Sequence, residues 1–225
     1  MLYLAVFLGL LPSFAWLLFY LREDAKRPEP KKMIFFAFLI GAAATFFAFF
    51  FEVELSNILK FYGISESSSL SFLSFSFIEE VIKFSFVFWF IAKSRYFDEP
   101  VDAMIYMIAA ALGFAAIENI GAAVNEWNNY LQIGAVFHTI TLRFIGATLL
   151  HSLCSAFIGY YFAQGIRVKE KFLFVSEGIL LASLLHAFFN YLIINAGAVV
   201  TPTIFLLLVG LFVLNDFEKL KSVSA

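Results

Sequence analysis

The chain has 225 residues, of which 62% are hydrophobic and 20% aromatic, while only 14% are charged. Soluble domains are about 45–50% apolar and about 25% charged, so this composition excludes an ordinary soluble protein and indicates a membrane protein. A formal net charge of −2 points to no charged partner, and a lone cysteine, Cys154, excludes an internal disulfide framework and a cysteine-rich zinc cluster.

A helix needs roughly 20 apolar residues to cross a bilayer. Runs of about that length cover 2–21, 33–51, 70–92, 101–123, 137–163, 172–195 and 199–214. The first has no positive charge ahead of it and "REDAKRPEPKK" behind it, the layout of a retained span rather than a cleavable signal. Segment 52–69 is long enough for an interfacial helix. The fifth run is long and has room for an interfacial turn at its start; the last is short. "RPEPKK" reads as a stiff, basic linker. No internal repeat and no soluble domain is visible, so residues 1–225 read as one integral-membrane domain.

Basic residues test this division independently. Arg22, Lys26, Arg27, Lys31 and Lys32 follow the first run, Lys93 and Arg95 the third, Arg167, Lys169 and Lys171 the fifth, and Lys219 and Lys221 the last. All lie on alternate loops; Lys60 is the only basic residue on the opposite side. The positive-inside rule then places the N-terminus outside and the C-terminus in the cytoplasm, which requires an odd number of spans. The expected fold is all-α and polytopic, with about seven transmembrane helices.

Few ionisable residues fall inside these runs: Glu79, Glu80 and Lys83 in the third, Glu118 in the fourth, Arg143 and His151 in the fifth, His186 in the sixth. Asn119 and Asn190 accompany them. A charge at mid-bilayer costs roughly 2.5–3.5 kcal/mol on insertion scales, so such residues normally face a protein interior or a wet cavity. Counted along their spans at 1.5 Å per residue, they lie at compatible depths, mostly in the outer half of the bilayer. Glu79 and Glu80 stand four and three residues before Lys83, so the amine can reach either carboxylate. Arg143, Ala147, His151, Ser155 and Gly159 form one i, i+4 stripe, and Ala111, Ala115 and Glu118 give the fourth span a slim face suited to close helix approach.

Adjacent carboxylates point about 100° apart on a helix and need not share a role. One can be held ionised by a nearby cation while the other serves as general base or acid. A histidine can orient water or protonate a leaving amine, and an asparagine amide can donate to an oxyanion. This combination points to hydrolysis inside the membrane. A small proton-coupled transporter or channel would also carry mid-membrane charges, but such proteins usually show paired repeats. A non-catalytic scaffold would need no Glu and His at one depth.

"EEVIK" (79–83), "GFAAIEN" (113–119), "HSLCS" (151–155) and "HAFFN" (186–190), in this order on successive spans, resemble the PrsW family of intramembrane proteases, as does the "REDAKRPEP" loop. That family is grouped with the CAAX prenyl proteases and the bacterial CPBP proteins. The resemblance implies peptide-bond hydrolysis within the membrane, with a membrane-protein substrate such as a single-pass anti-sigma factor. Carried over by position, it makes Glu79 and Glu80 the catalytic pair, of which our own reading of the residues prefers Glu80 as the water-activating member. His186 is the main histidine and Asn190 the oxyanion donor; Glu118, Asn119 and His151 complete the site, and Lys83 and Arg143 set carboxylate charge. Where the prenyl proteases have a histidine in their second motif, this chain has Glu118-Asn119. No HExxH pair is present, and a metal-free glutamate mechanism is favoured; zinc, if used, would draw on Glu80, Glu118, His151 and His186.

Overall fold

The computed structural model describes residues 2–22, 28–195 and 199–224. Most of the first-loop stretch, including Lys26 and Arg27, lies outside the described residues. The described chain forms eight helices: α1 (Leu2–Tyr20), α2 (Lys31–Phe61), α3 (Ser69–Phe90), α4 (Asp102–Tyr130), α5 (Ile133–Ile145), α6 (Ala147–Val168), α7 (Lys171–Asn195) and α8 (Val200–Ser224). No strand occurs among these residues.

α4 is the axis of the fold. Residues 101–116 are buried without interruption, because α1, α2 and α6 pack around them, with six alanines and Gly113 giving the neighbours room to approach. The α2–α4 crossing is the tightest. A Cβ added at Gly41 would lie 1.8 Å from the Ala110 carbonyl oxygen, and one at Gly113 would lie 1.9 Å from that of Phe38. Only glycine at both positions lets the two backbones touch.

Six stretches are long and apolar enough to cross a membrane: α1, α2, α4, α5 with α6, α7, and α8. α3 has the length, at 22 residues, but carries Glu79, Glu80 and Lys83 in its middle. Rings of the phenylalanine block, such as Phe46, Phe49 and Phe50, stay largely exposed, as lipid-facing side chains would.

Three sequence boundaries shift. Segment 52–69 does not form a separate interfacial helix: α2 runs on to Phe61, 31 residues or roughly 46 Å at 1.5 Å per residue. The fifth run divides at Gly146, where the backbone leaves helical geometry (φ −107°, ψ −102°), so α5 and α6 are separate helices. The last run is not short, since α8 continues to Ser224 and carries Lys219 and Lys221 on its final turns.

Candidate active site

Ser68 caps α3 by accepting a hydrogen bond from the Ser71 amide, at 3.2 Å, which fixes where the helix starts and hence which way its later turns face. Two turns on, Glu79, Glu80 and Lys83 all point inward, with Glu80 and Lys83 fully buried. Lys83 Nζ donates to Glu80 Oε1 at 2.6 Å and to His151 Nδ1 at 3.0 Å, and it sits 4.9 Å from the centre of the Phe114 ring. A buried ammonium is tolerable only when so compensated.

From Lys83 the network spreads over five helices. His186 Nδ1 lies 2.9 Å from Glu80 Oε1. His151 Nε2 lies 2.8 Å from Glu118 Oε2, which also accepts from Arg143 Nη2 at 3.0 Å. Arg143 Nε donates to Asn119 Oδ1 at 2.5 Å, and Asn119 Nδ2 donates to Thr148 Oγ1 at 2.9 Å. These partners set both imidazole tautomers. Nε2–H of His151 donates to Glu118, leaving Nδ1 to accept from Lys83, and Nδ1–H of His186 donates to Glu80. The two rings meet edge to face at 5.0 Å.

Glu79 differs from its neighbour. Its Oε2 is 3.6 Å from both Lys83 Nζ and His151 Nδ1, too far for a hydrogen bond, and has no partner among the described residues; Glu80 Oε2 is likewise unpartnered. Glu79 also borders a cavity of about 620 Å³ between α2, α3 and α7. Asn190, Phe49 and Ile193 line its walls, and the exposed Lys60–Glu66 ion pair (2.8 Å) stands at its rim. The hydrogen bond from Lys60 lowers the Glu66 carboxyl below its ordinary pKa.

Of the nine residues singled out in the sequence, Glu79, Glu80, Lys83, Glu118, Asn119, Arg143, His151 and His186 thus form one cluster. Asn190 stands apart, on the cavity wall beside Glu79. Arg143 and His151, read as one helical stripe, instead lie on α5 and α6, and the break at Gly146 still lets the guanidinium reach Glu118. Two residues were missed. Thr148 completes the Asn119 amide, and Glu52, expected in an outer loop, lies on α2 and lines the cavity with Glu79. The signal for Glu52 was helical phase: Gly41, Ala44, Ala48 and Glu52 continue one face, and the first three are buried.

Glu79, Glu80, His151 and His186 each place one possible ligand atom within 4.8 Å of the others. Glu118, expected in a zinc set, is one bond further out, holding the far nitrogen of His151 in the way carboxylates orient metal-ligating histidines.

Fold and site together define a class: a polytopic helical membrane protein that encloses a glutamate–lysine–histidine cluster beside a cavity. The sequence model of the PrsW family of intramembrane metalloproteases matches residues 29–215, and the chain belongs to that family. It is 29% identical to Protease PrsW of Geobacillus kaustophilus over 188 residues, covering 83% of this chain and 78% of that protein. It is 26% identical to Protease PrsW of Clostridioides difficile, covering 94% and 89%, and 26% identical to that of Bacillus subtilis, covering 82% and 80%. No solved structure matches the chain. The protein is therefore a multi-pass integral membrane peptide hydrolase.

A metalloprotease family implies a metal, and the residues present fit one. Two carboxylates and two imidazoles are a zinc-type donor set, and both glutamates carry an oxygen that no protein donor satisfies.

Proposed function

We propose that this protein hydrolyses a peptide bond in or beside the transmembrane segment of another membrane protein, using water activated by Glu79. The observation that carries the reading is the position of Glu79: within the buried cluster it alone borders the cavity, and its Oε2 has no protein partner. A water there would lie against a carboxylate that can take its proton. Glu80, the member of the pair preferred from the sequence, is fully buried, and its Oε1 is already engaged by Lys83 and His186. It serves as the fixed anion that holds both.

The proton that Glu79 takes from water would pass to the leaving amine, relayed through Nε2 of His186, whose Nδ1–H is held by Glu80, and Asn190 on the cavity wall would donate to the oxyanion. Lys83 and Arg143 keep Glu80 and Glu118 anionic, and Glu118 orients His151. Where a metal is bound, Glu79, Glu80, His151 and His186 would hold it, Nδ1 of His151 giving up its hydrogen bond from Lys83, and it would supply Lewis-acid polarisation and a more acidic water. The topology that the basic loops imply opens the cavity toward the outer face. α2 and α7 both pack on α3, and the cleft between them mixes apolar walls (Phe49, Val53, Phe72, Phe75) with polar groups, a surface that could take a single-pass helix and wet the bond to be cut. A single-pass anti-sigma factor is the substrate class the family resemblance suggests.

The test compares new peptide termini in membranes of cells expressing the wild-type protein or a folded Glu79→Gln/Glu80→Gln variant. Termini seen only with wild type, mapping in or beside another protein's transmembrane segment, are expected. Matching sets, with both proteins present and host membrane proteins detected, would overturn the proposal and turn attention to proton-coupled flux in liposomes.

A further inference from the structure

Taking Glu79 as the base that activates water, we infer that Glu52 on α2 is a positioning residue for the reaction. Its carboxyl donates a hydrogen bond to that of Glu79 and holds it in place from the cavity side. Both side chains line the cavity, and the two carboxyls are in hydrogen-bond contact. α2 packs on α3 and brings no other residue to the buried cluster.

The packing beneath Glu52 fixes where it reaches. Gly41, three turns earlier on the same face, lets α2 touch Ala110 of α4, and Thr45 Oγ1 donates to the Phe114 carbonyl at 3.3 Å. Ala44 and Ala48 are buried with Phe114, and Ile78 and Ile82 of α3 pack against that group. Those two isoleucines bracket Glu79, so the turn of α2 that follows Ala48 arrives opposite it. Glu52 occupies that turn, half-buried.

Glu79 needs such a partner. Two short contacts, at 2.6 and 2.9 Å, hold Glu80, whereas the cluster approaches Glu79 only loosely, at 3.6 Å from Lys83 and His151. A base must present its lone pair to water in one orientation, and a directional hydrogen bond supplies that constraint. Two carboxyls in hydrogen-bond contact are joined by one proton, because two carboxylates at that range repel. The donor is Glu52: Lys83 lies near Glu79, whereas no described Lys, Arg or His comes within 4.0 Å of Glu52. The polar residues further along α2 are committed elsewhere, since Ser56 donates to Glu66 Oε1 and Lys60 pairs with the same oxygen.

The experiment measures kcat and KM of the purified full chain in detergent, on a synthetic peptide spanning a cleavage site taken from the termini seen only with wild type. Glu52→Leu removes the donor, and kcat should fall about 10–100-fold while KM moves less than about threefold, as for groups that orient a functional side chain. Glu52→Gln keeps an N–H donor in the same place and should restore kcat to within about threefold of wild type, which a carboxylate acting through its charge would not allow. Wild-type kcat in Glu52→Leu, with Glu79→Gln inactive, would overturn this role alone. Full cleavage by Glu79→Gln would overturn the base and this role together. Glu52→Gln as inactive as Glu79→Gln would also overturn it, since Glu52 would then be a reacting group itself. Should Glu52→Leu fail to fold, infrared spectra decide without substrate: a protonated-carboxyl band lost in Glu52→Gln and shifted in Glu79→Gln is expected. A band indifferent to both substitutions would overturn the hydrogen bond.

Discussion

Asp102 and Glu118 stand on the same helix, roughly 24 Å apart at 1.5 Å per residue, and each anchors a cluster of carboxylates drawn from distant parts of the chain. At the Glu118 end the compensating charge is part of the protein: Lys83 lies between Glu80 and His151, and Arg143 closes on Glu118. At the Asp102 end no described Lys or Arg comes within 4.0 Å of Asp98 or Asp102, and Asp102 is held instead by the backbone amides of Asp98 and Glu99. The difference teaches what a buried cation is for. A side-chain cation fixes the geometry of several polar groups at once, as a hydrolytic site requires, whereas backbone amides hold a single carboxylate and fold one loop onto it.

The comparison breaks most severely at Glu80. Glu80→Leu would strand a fully buried ammonium, and the expected destabilisation is about 3–5 kcal/mol in denaturant unfolding in detergent. Glu80→Leu with Lys83→Met should recover most of that stability, because an apolar pair of similar volume avoids the desolvation cost. The double variant should nonetheless remain inactive. A single variant as stable as wild type would show that the buried pair is dispensable to the fold.

Glu79→Gln separates chemistry from stability. The side chain keeps its shape, and Oε2 loses no hydrogen bond, only the loose charge contacts at 3.6 Å to Lys83 and His151. Cleavage should fall by about 10²–10⁴-fold, the usual contribution of a general base, while unfolding stays close to wild type. Loss of folding together with activity would return Glu79 to a structural role. Glu118→Gln comes next, since it weakens both the Arg143 contact and the one to His151 Nε2. An effect of about 10–100-fold on activity is expected, as for other partners that orient a functional histidine. A larger loss, matching that of Glu79→Gln, would place Glu118 among the reacting groups instead.

Much of this was legible in the sequence because apolar runs report spans and charges inside them are rare. Glu79, Glu80, Lys83, Glu118, Arg143, His151 and His186 announced themselves by being costly where they stood. Glu52 did not, because a charge after "FFAFFF" looks like the end of a span, whereas α2 continues in the same phase for two and a half more turns. The break at Gly146 was invisible for a different reason. Its flanks hold no proline and no cluster of turn residues, and what stabilises it is tertiary: Trp16 on α1 donates its indole N–H to the Phe144 carbonyl at 2.8 Å, satisfying a group freed by the end of α5. The Asp102 cluster was hidden because Glu29 read as part of a basic linker and Asp98 as a loop residue. Only packing of α2 against α4 brings them together.

The smallest expected effect tests whether burial, rather than the presence of an ion pair, separates these regions. Lys60–Glu66 at the cavity rim is nearly as short as Lys83–Glu80, 2.8 against 2.6 Å, yet its side chains are 61% and 54% exposed while those of the buried pair are fully covered. Water and salt screen the rim pair, so Lys60→Ala should leave the unfolding transition where it was. Glu66 makes the sign explicit. Lys60 lowers its pKa in the folded state, so whatever stability it contributes is present above the unfolded carboxyl pKa and is lost as pH falls through the folded value. That acid-side contribution should fade with added salt in wild type and shrink in Lys60→Ala to what the hydrogen bond from the Ser56 hydroxyl leaves, whereas the Glu80→Leu defect should persist at any ionic strength. A rim variant as damaging as Glu80→Leu would mean that the rim holds the α2–α3 connection in place, and that contact position, not burial, sets the hierarchy.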